Sequence, residues 1–265
     1  MESVLRQRAI SALIFVAIVI SLFAIGQYGV LILLLSVLCG TLYEVCRLDK
    51  FTPIATFLTI IAALCIIYLT SFLPEAPYDF KTNALYVVCG FHLILTLILI
   101  STEKPLYPII KKTIFIYPIL GLAFAANAII SDSRVFHLIL GTILFIWVCD
   151  SGAYLVGRKL GKHKLFERVS PKKTWEGFLG SLVFTIAVSY PISLIIPELP
   201  FIAWLIIATL VVIFGTIGDL IQSKVKREFG VKDSGNLLPG HGGWWDRFDS
   251  FIFVLPFVLL IATFF

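Results

Sequence analysis

Phe201-Ile202-Ala203-Trp204-Leu205-Ile206-Ile207-Ala208-Thr209-Leu210-Val211-Val212-Ile213-Phe214-Gly215-Thr216-Ile217-Gly218-Asp219 carries no charge from Phe201 to Gly218 and then meets a carboxylate. An apolar run of this kind is read as a bilayer-spanning helix, which needs roughly 20 mainly apolar residues. A carboxylate at membrane depth costs about 2.5 to 3.5 kcal/mol even on lenient insertion scales, so Asp219 calls for a partner or a task. Asp150 repeats the pattern, following Val135 to Cys149 and preceding Ser151-Gly152-Ala153-Tyr154. A helix-end aspartate that merely reaches the interface is the plain alternative for both.

Working outward, 59% of the 265 residues are hydrophobic and 14% charged, against about 25% charged in soluble domains. Nine stretches reach spanning length: Ile10 to Gly26, Tyr28 to Cys46, Phe51 to Leu73, Ala84 to Ile100, Pro108 to Ile130, Val135 to Val156, Trp175 to Ile196, Phe201 to Gln222 and Phe248 to Phe265. The expected fold is therefore all-α, a polytopic transmembrane helical protein of about nine spans. It forms a single membrane domain over residues 1–265, with spans one to five in 1–134 and spans six to nine in 135–265. The first run lacks a small-x-small cleavage site and is taken as retained. Cys39, Cys46, Cys65, Cys89 and Cys149 fall in or beside apolar runs without metal-ligand spacing and read as small hydrophobes.

Nine spans divide the connections into two alternating sets, which the positive-inside rule orients. One set holds Arg6, Arg8, Arg47, Lys50, Lys104, Lys111, Lys112, the seven Lys and Arg between Arg158 and Lys173, and Lys224, Lys226, Arg227, Lys232 and Arg247. The other holds only Lys81 and Arg134. An added or missed span would scramble this division, so the N-terminus is expected in the cytoplasm.

Two cytoplasmic connections are long, Gly157 to Thr174 and Ser223 to Arg247, and long connections in compact proteins tend to be functional. Asp219 closes one span, and Asp246 opens the next with Asp249 three residues on, on one helical face. Two converging carboxylates suit Mg²⁺, which takes one or two carboxylates and completes its shell with phosphates and water. Between them Lys226, Arg227 and Lys232 can neutralise phosphate oxygens, and Gly240, Gly242 and Gly243 let backbone N–H groups approach an anion. His241 is open to three readings: base, phosphate donor or polar turn residue. His92 and His137 have no acidic neighbour in sequence and read as structural. In the other connection, Lys172 and Lys173 precede a new helix N-terminus and form an anion site for a nucleotide, a lipid head or the anionic membrane surface. Together these features point to metal-assisted phosphoryl or nucleotidyl transfer.

Ser223-x-x-Lys226-Arg227, Lys232-Asp233-x-Gly235, Leu238-Pro239-Gly240-His241-Gly242-Gly243 and Asp246-Arg247-Phe248-Asp249 resemble, in one continuous run, the signature of CDP-diacylglycerol synthases, the phosphatidate cytidylyltransferases. Asp150-Ser151-Gly152-Ala153-Tyr154 and Ser170-Pro171-Lys172-Lys173-Thr174-Trp175-Glu176-Gly177 are similar to two further stretches of the bacterial members. The resemblance covers the C-terminal half. It implies transfer of CMP from CTP to phosphatidic acid, with Mg²⁺ as cofactor and an active site at the cytoplasmic face of a bacterial inner membrane. On that footing Asp219, Lys226, Arg227, Asp246 and Asp249 are the expected catalytic residues. Asp219 and Asp246 would hold Mg²⁺, and two charges sharing one mouth allow a second cation. Arg158, Lys172, Lys173, Ser223, Lys232, Asp233, Gly240, His241, Gly242, Gly243, Arg247 and Asp150 are expected to meet substrate.

The expected partners are CTP, phosphatidic acid and the bilayer; a homodimer is compatible, and no nucleic-acid partner is expected. Two other functions fit part of the pattern. A CTP-dependent polyprenol or lipid kinase would use similar phosphate chemistry on the γ-phosphoryl group. An ion-coupled transporter would use Asp150 and Asp219 as a relay but leaves the glycine and lysine segment unexplained.

Overall fold

The computed structural model describes residues 2–71, 78–101, 116–237 and 242–265, with side chains for 10–65, 82–98, 116–237 and 242–265. Gly240, His241, Lys104, Lys111 and Lys112 lie outside the described residues. The elements are α1 (Glu2–Ala24), α2 (Gln27–Leu48), α3 (Pro53–Ser71), α4 (Tyr78–Ser101), α5 (Ile116–Ser131), α6 (Arg134–Leu160), β1 (Lys164–Phe166), β2 (Ser170–Thr174), α7 (Trp175–Ile195), α8 (Phe201–Glu228) and α9 (Trp245–Ala262). The all-α expectation holds, and among the described residues α2, α6, α7 and α8 are long and apolar enough to cross a bilayer. This is an integral membrane protein.

The two long connections are more ordered than their polar composition suggests. Helix α6 continues to Leu160, and an antiparallel hairpin follows in which Lys164 faces Thr174 and Phe166 faces Ser170. Lys164 Nζ donates to the Pro171 carbonyl at 2.7 Å, tying the strands from the side. Helix α8 runs past Gln222 to Glu228, so Ser223, Lys224, Lys226 and Arg227 are helical. Lys226 and Arg227 sit in its last turn, where positive charge suits the macrodipole. Gly230, at φ 69°, then stops the helix: Val231 N–H returns to Lys226 O at 2.9 Å and Gly230 N–H to Arg227 O at 3.0 Å, a Schellman cap.

The chain divides into two compact units, each drawing on both halves of the sequence. One comprises Met1–Pro77, Glu103–Phe136 and Val225–Phe248. Helix α2 is its centre, burying Val30, Leu33, Leu34, Val37, Leu38 and Leu42 against α1, α3 and α5. Two tryptophans dock the segment after α8 onto this bundle. Trp245 is fully buried and its indole N–H donates to Tyr117 Oη at 2.8 Å. The Trp244 ring occupies the space that Gly40 leaves by lacking a Cβ, edge-on to Phe15.

The other unit comprises Tyr78–Thr102, His137–Lys224 and Asp249–Phe265. Here Trp204 is fully buried, fills the room left by Gly141, packs edge-on to Phe145 and donates through Nε1 to Ile196 O at 3.0 Å. Phe214 stacks on Phe257 at 3.8 Å, and Ser250 Oγ donates to Gly215 O at 3.0 Å, locking α9 onto α8. Helices α6 and α7 approach through small residues: a Cβ on Gly177 would stand 2.9 Å from the Ala153 carbonyl oxygen. His92 donates through Nδ1 to Val88 O at 2.8 Å beneath Phe253, a packing role. His137 has an acidic partner after all, Glu198 at 3.1 Å, supplied by the connection before α8.

Any side chain at Gly141 would have to displace the Trp204 ring. Gly141→Val should therefore destabilise the protein by about 1 to 3 kcal/mol, read as a lowered unfolding midpoint in detergent; an unchanged midpoint would contradict this packing.

Candidate active site

In the unit built on α6 to α9, a cavity of about 230 Å³ is lined by residues of α6, β2, the start of α7 and the middle of α8, so that Asp219 lies inside its helix and does not close it. Its lining includes the polar Asp150, Lys172, Lys173 and Asp219 and the apolar Ile146 and Phe178. The hairpin delivers the two lysines. Thr174 caps α7 by accepting the Gly177 N–H at 3.2 Å. Glu176 accepts the N–H groups of Lys162 (3.0 Å) and His163 (3.2 Å), pinning the end of α6 to the start of α7. Lys173 Nζ stands 2.6 Å from Asp219 Oδ2, with the side chains 25% and 32% exposed. Ser223, one turn on, donates to Asp219 Oδ1 at 3.1 Å. Asp249 experiences the like charges of Asp219 and Asp150 and the opposite charge of Lys173. Asp219 thus pairs with Lys173 while Asp150 and Asp249 add negative charge nearby. Arg158 sits on α6 but turns to Tyr154 Oη, 3.3 Å away.

In the unit built on α1 to α3 and α5, a second carboxylate–lysine pair forms. Lys226, in the last turn of α8, places Nζ 2.6 Å from Asp246 Oδ1, with the side chains only 10% and 7% exposed. Asp246 Oδ2 accepts the N–H groups of Ser234 (2.9 Å) and Gly243 (2.8 Å). Lys232, Asp233, Arg227 and Arg247 are exposed, Arg227 donating to Val231 O at 3.1 Å. Gly242 and Gly243 approach carboxylates closely. Gly242 has φ 85°, and a Cβ there would lie 2.8 Å from Asp246 Oδ2; the Gly243 N–H is already taken by Asp246.

The residue that the sequence reading missed is Glu44, on α2. It is 1% exposed and accepts from Ser234 Oγ (2.6 Å), Trp244 N–H (2.6 Å) and Trp245 N–H (3.0 Å). Its signal was available, since a carboxylate inside the apolar run Tyr28 to Cys46 is as costly as Asp150 or Asp219.

The Lys173–Asp219 pair beside a cavity with both polar and apolar lining is an arrangement suited to holding a phosphate group by charge neutralisation. The whole chain tells the family. Residues 6–265 match the model of the cytidylyltransferase family. The chain is 32% identical to the phosphatidate cytidylyltransferase of Bacillus subtilis (strain 168), covering 98% of each chain. Shorter segments are 47% identical to that of Staphylococcus saprophyticus, over 49% of this chain and 50% of the relative, and 50% identical to that of Staphylococcus epidermidis (strain ATCC 12228 / FDA PCI 1200), over 47% and 49%. The chain belongs to the cytidylyltransferase family and is a nucleotidyltransferase.

Asp246 precedes the apolar stretch that starts at Phe248. Burial opposes its charge, but the Lys226 hydrogen bond and ammonium, with the amides of Gly243 and Ser234, outweigh burial and hold its carboxyl below the usual aspartate value. Its stabilising contribution is therefore present above the ordinary aspartate pKa of about 3.9 and is lost as pH falls through the depressed folded value. Unfolding midpoints should drop less between about pH 5 and pH 2 in Asp246→Asn than in the unaltered protein; parallel curves would contradict the assignment.

Proposed function

We propose that this nucleotidyltransferase is a phosphatidate cytidylyltransferase, forming CDP-diacylglycerol and pyrophosphate from CTP and phosphatidic acid. The observation that carries the proposal beyond family membership is the cavity lined both by Lys172, Lys173 and Asp219 and by apolar side chains such as Ile146 and Phe178. Such a mixed lining suits a phosphate joined to an apolar tail.

A phosphate oxygen of phosphatidic acid attacks the α-phosphorus of CTP. The new oxygen–phosphorus bond forms as the bond to the pyrophosphate oxygen breaks. The attacking oxygen is already anionic at neutral pH, so no general base is required. Lys172 and Lys173 hold one anionic group at the cavity, while Lys226, Arg227, Lys232 and Arg247 serve the triphosphate. When a phosphate draws Lys173 or Lys226 away, the partner carboxylate is released.

Mg²⁺ is assigned to Asp219 and Asp246, where it would neutralise the charge that builds on the triphosphate oxygens. Both are hard oxygen donors, each facing an ammonium group in the structure, and Asp219 lies among the like charges of Asp249 and Asp150. Among the described residues no group of three or more His, Cys, Asp or Glu side chains forms a ready-made cage. Phosphates and water would then complete the shell.

The alternation of basic connections supports nine spans, a cytoplasmic N-terminus and an active site on the cytoplasmic side of the inner membrane. In cells, cysteines introduced at Lys162 and Lys232 should be shielded from an impermeant maleimide that labels one at Ser133; labelling of all three from outside would overturn that topology.

With CTP labelled at the α-phosphate, label should enter the lipid and unlabelled pyrophosphate should be released. Entry of γ-label into the lipid would identify a kinase instead. Asp219→Asn and Asp246→Asn should each lower turnover by about 100-fold or more in folded protein; near-normal Mg²⁺-dependent turnover in either would remove that residue from the metal assignment.

A further inference from the structure

Glu44 is a carboxylate on α2, nearly two hundred positions before the segment it binds, and it is 1% exposed. A buried carboxylate persists only where donors surround it, and here Ser234 and Trp244 from the segment between α8 and α9 and Trp245 at the start of α9 supply them. Ser234 Oγ and Trp245 N–H reach Oε2, and Trp244 N–H reaches Oε1. The backbone fits itself around this group: a Cβ on Gly235 would stand 2.6 Å from Glu44 Oε1, and one on Gly243 would collide with both carboxylate oxygens and Ser234 Oγ. Ser234 is also the link to the site, because its backbone N–H donates to Asp246 Oδ2 while its hydroxyl donates to Glu44. Gly243, whose N–H makes the other amide bond to Asp246, immediately precedes Trp244, whose N–H goes to Glu44.

We infer that Glu44 is a positioning residue, a buried acceptor that fixes the Ser234 to Trp245 segment so that its amides hold Asp246 in register with Lys226. The inference rests on the cytidylyl-transfer reading for its effect on rate, but not for the clamp itself. It assigns the N-terminal helices a part in the chemistry: α2 contributes the acceptor, and Tyr117 on α5 anchors Trp245 beside it.

The test compares the unaltered full-length protein with Glu44→Gln and Glu44→Asp by hydrogen exchange and by steady-state rates with CTP, phosphatidic acid and Mg²⁺. Glu44→Gln should speed exchange at the Trp244 and Trp245 amides by tenfold or more. It should lower kcat per folded enzyme by at least tenfold and raise the Mg²⁺ concentration giving half-maximal rate, and Glu44→Asp should recover part of each. Tyr117→Phe, which removes the Trp245 indole hydrogen bond but leaves the three bonds to Glu44 in place, should lower the melting temperature and raise the Mg²⁺ requirement less than Glu44→Gln does. If Glu44→Gln does not fold, the same readings are taken on Glu44→Asp, whose shorter side chain should give the same changes to a smaller extent. Exchange, kcat and Mg²⁺ requirement all unchanged in the folded variant would overturn the inference, as would a lowered melting temperature alone. An unaltered protein that forms no CDP-diacylglycerol would refute the cytidylyl-transfer reading, and the exchange rates would still decide whether Glu44 is a clamp.

Discussion

A carboxylate at the end of an apolar helix has to be matched by opposite charge or by several donors, because the surroundings cannot solvate it. This protein meets the requirement with lysine in two places. Lys173 faces Asp219 and Lys226 faces Asp246, each at 2.6 Å, and the surrounding structure serves to bring those partners together. The hairpin carries Lys173 to Asp219, inside α8, and its base is tied by Glu176 to the backbone of Lys162 and His163. The Schellman turn at Gly230 ends α8 one turn beyond Lys226 and starts the segment that supplies the amides for Asp246. Glu44 meets the same requirement with donors instead of a cation.

The two pairs are not equivalent. Asp219 and Lys173 are about a quarter to a third exposed and border a cavity, a setting in which solvent and substrate can compete for either partner. Asp246 and Lys226 are a tenth exposed or less. Breaking a buried pair leaves an uncompensated charge at a cost of about 3 to 5 kcal/mol, so an incoming phosphate must replace what Lys226 gives up. A triphosphate has the charge to do so. The proposed reaction draws on this asymmetry: the cavity pair meets the phosphate with an apolar neighbourhood, and the buried pair lies in a segment that also carries the exposed cations Arg227, Lys232 and Arg247.

The membrane class and the importance of Asp150 and Asp219 were legible because the cost of an intramembrane charge is local and can be read residue by residue. The same reasoning reached Lys172, Lys173 and Lys226, since basic residues crowd the long connections. It did not reach the hairpin, whose strands of three and five residues are too short for alternation to register against a run of lysines. Nor did it reach the close approach of Gly235, Gly242 and Gly243 to Glu44 and Asp246, because that proximity arises only in the fold. Glu44 carried the same local signal, a carboxylate inside an apolar run, but its donors lie about two hundred positions away, so its partner segment could not be read from the sequence. The comparisons with relatives then supplied what neither charge nor packing fixes, membership of the cytidylyltransferase family.

The account's central claim is a single displacement, with lysines and carboxylates positioning two phosphates and no group on the enzyme attacking phosphorus. The stereochemical course at the α-phosphorus tests this most directly. With CTP carrying one sulfur in place of a non-bridging α-oxygen, as a single diastereomer, the product CDP-diacylglycerol should show inverted configuration. Retention would require two displacements and a covalent enzyme intermediate, and would contradict the account.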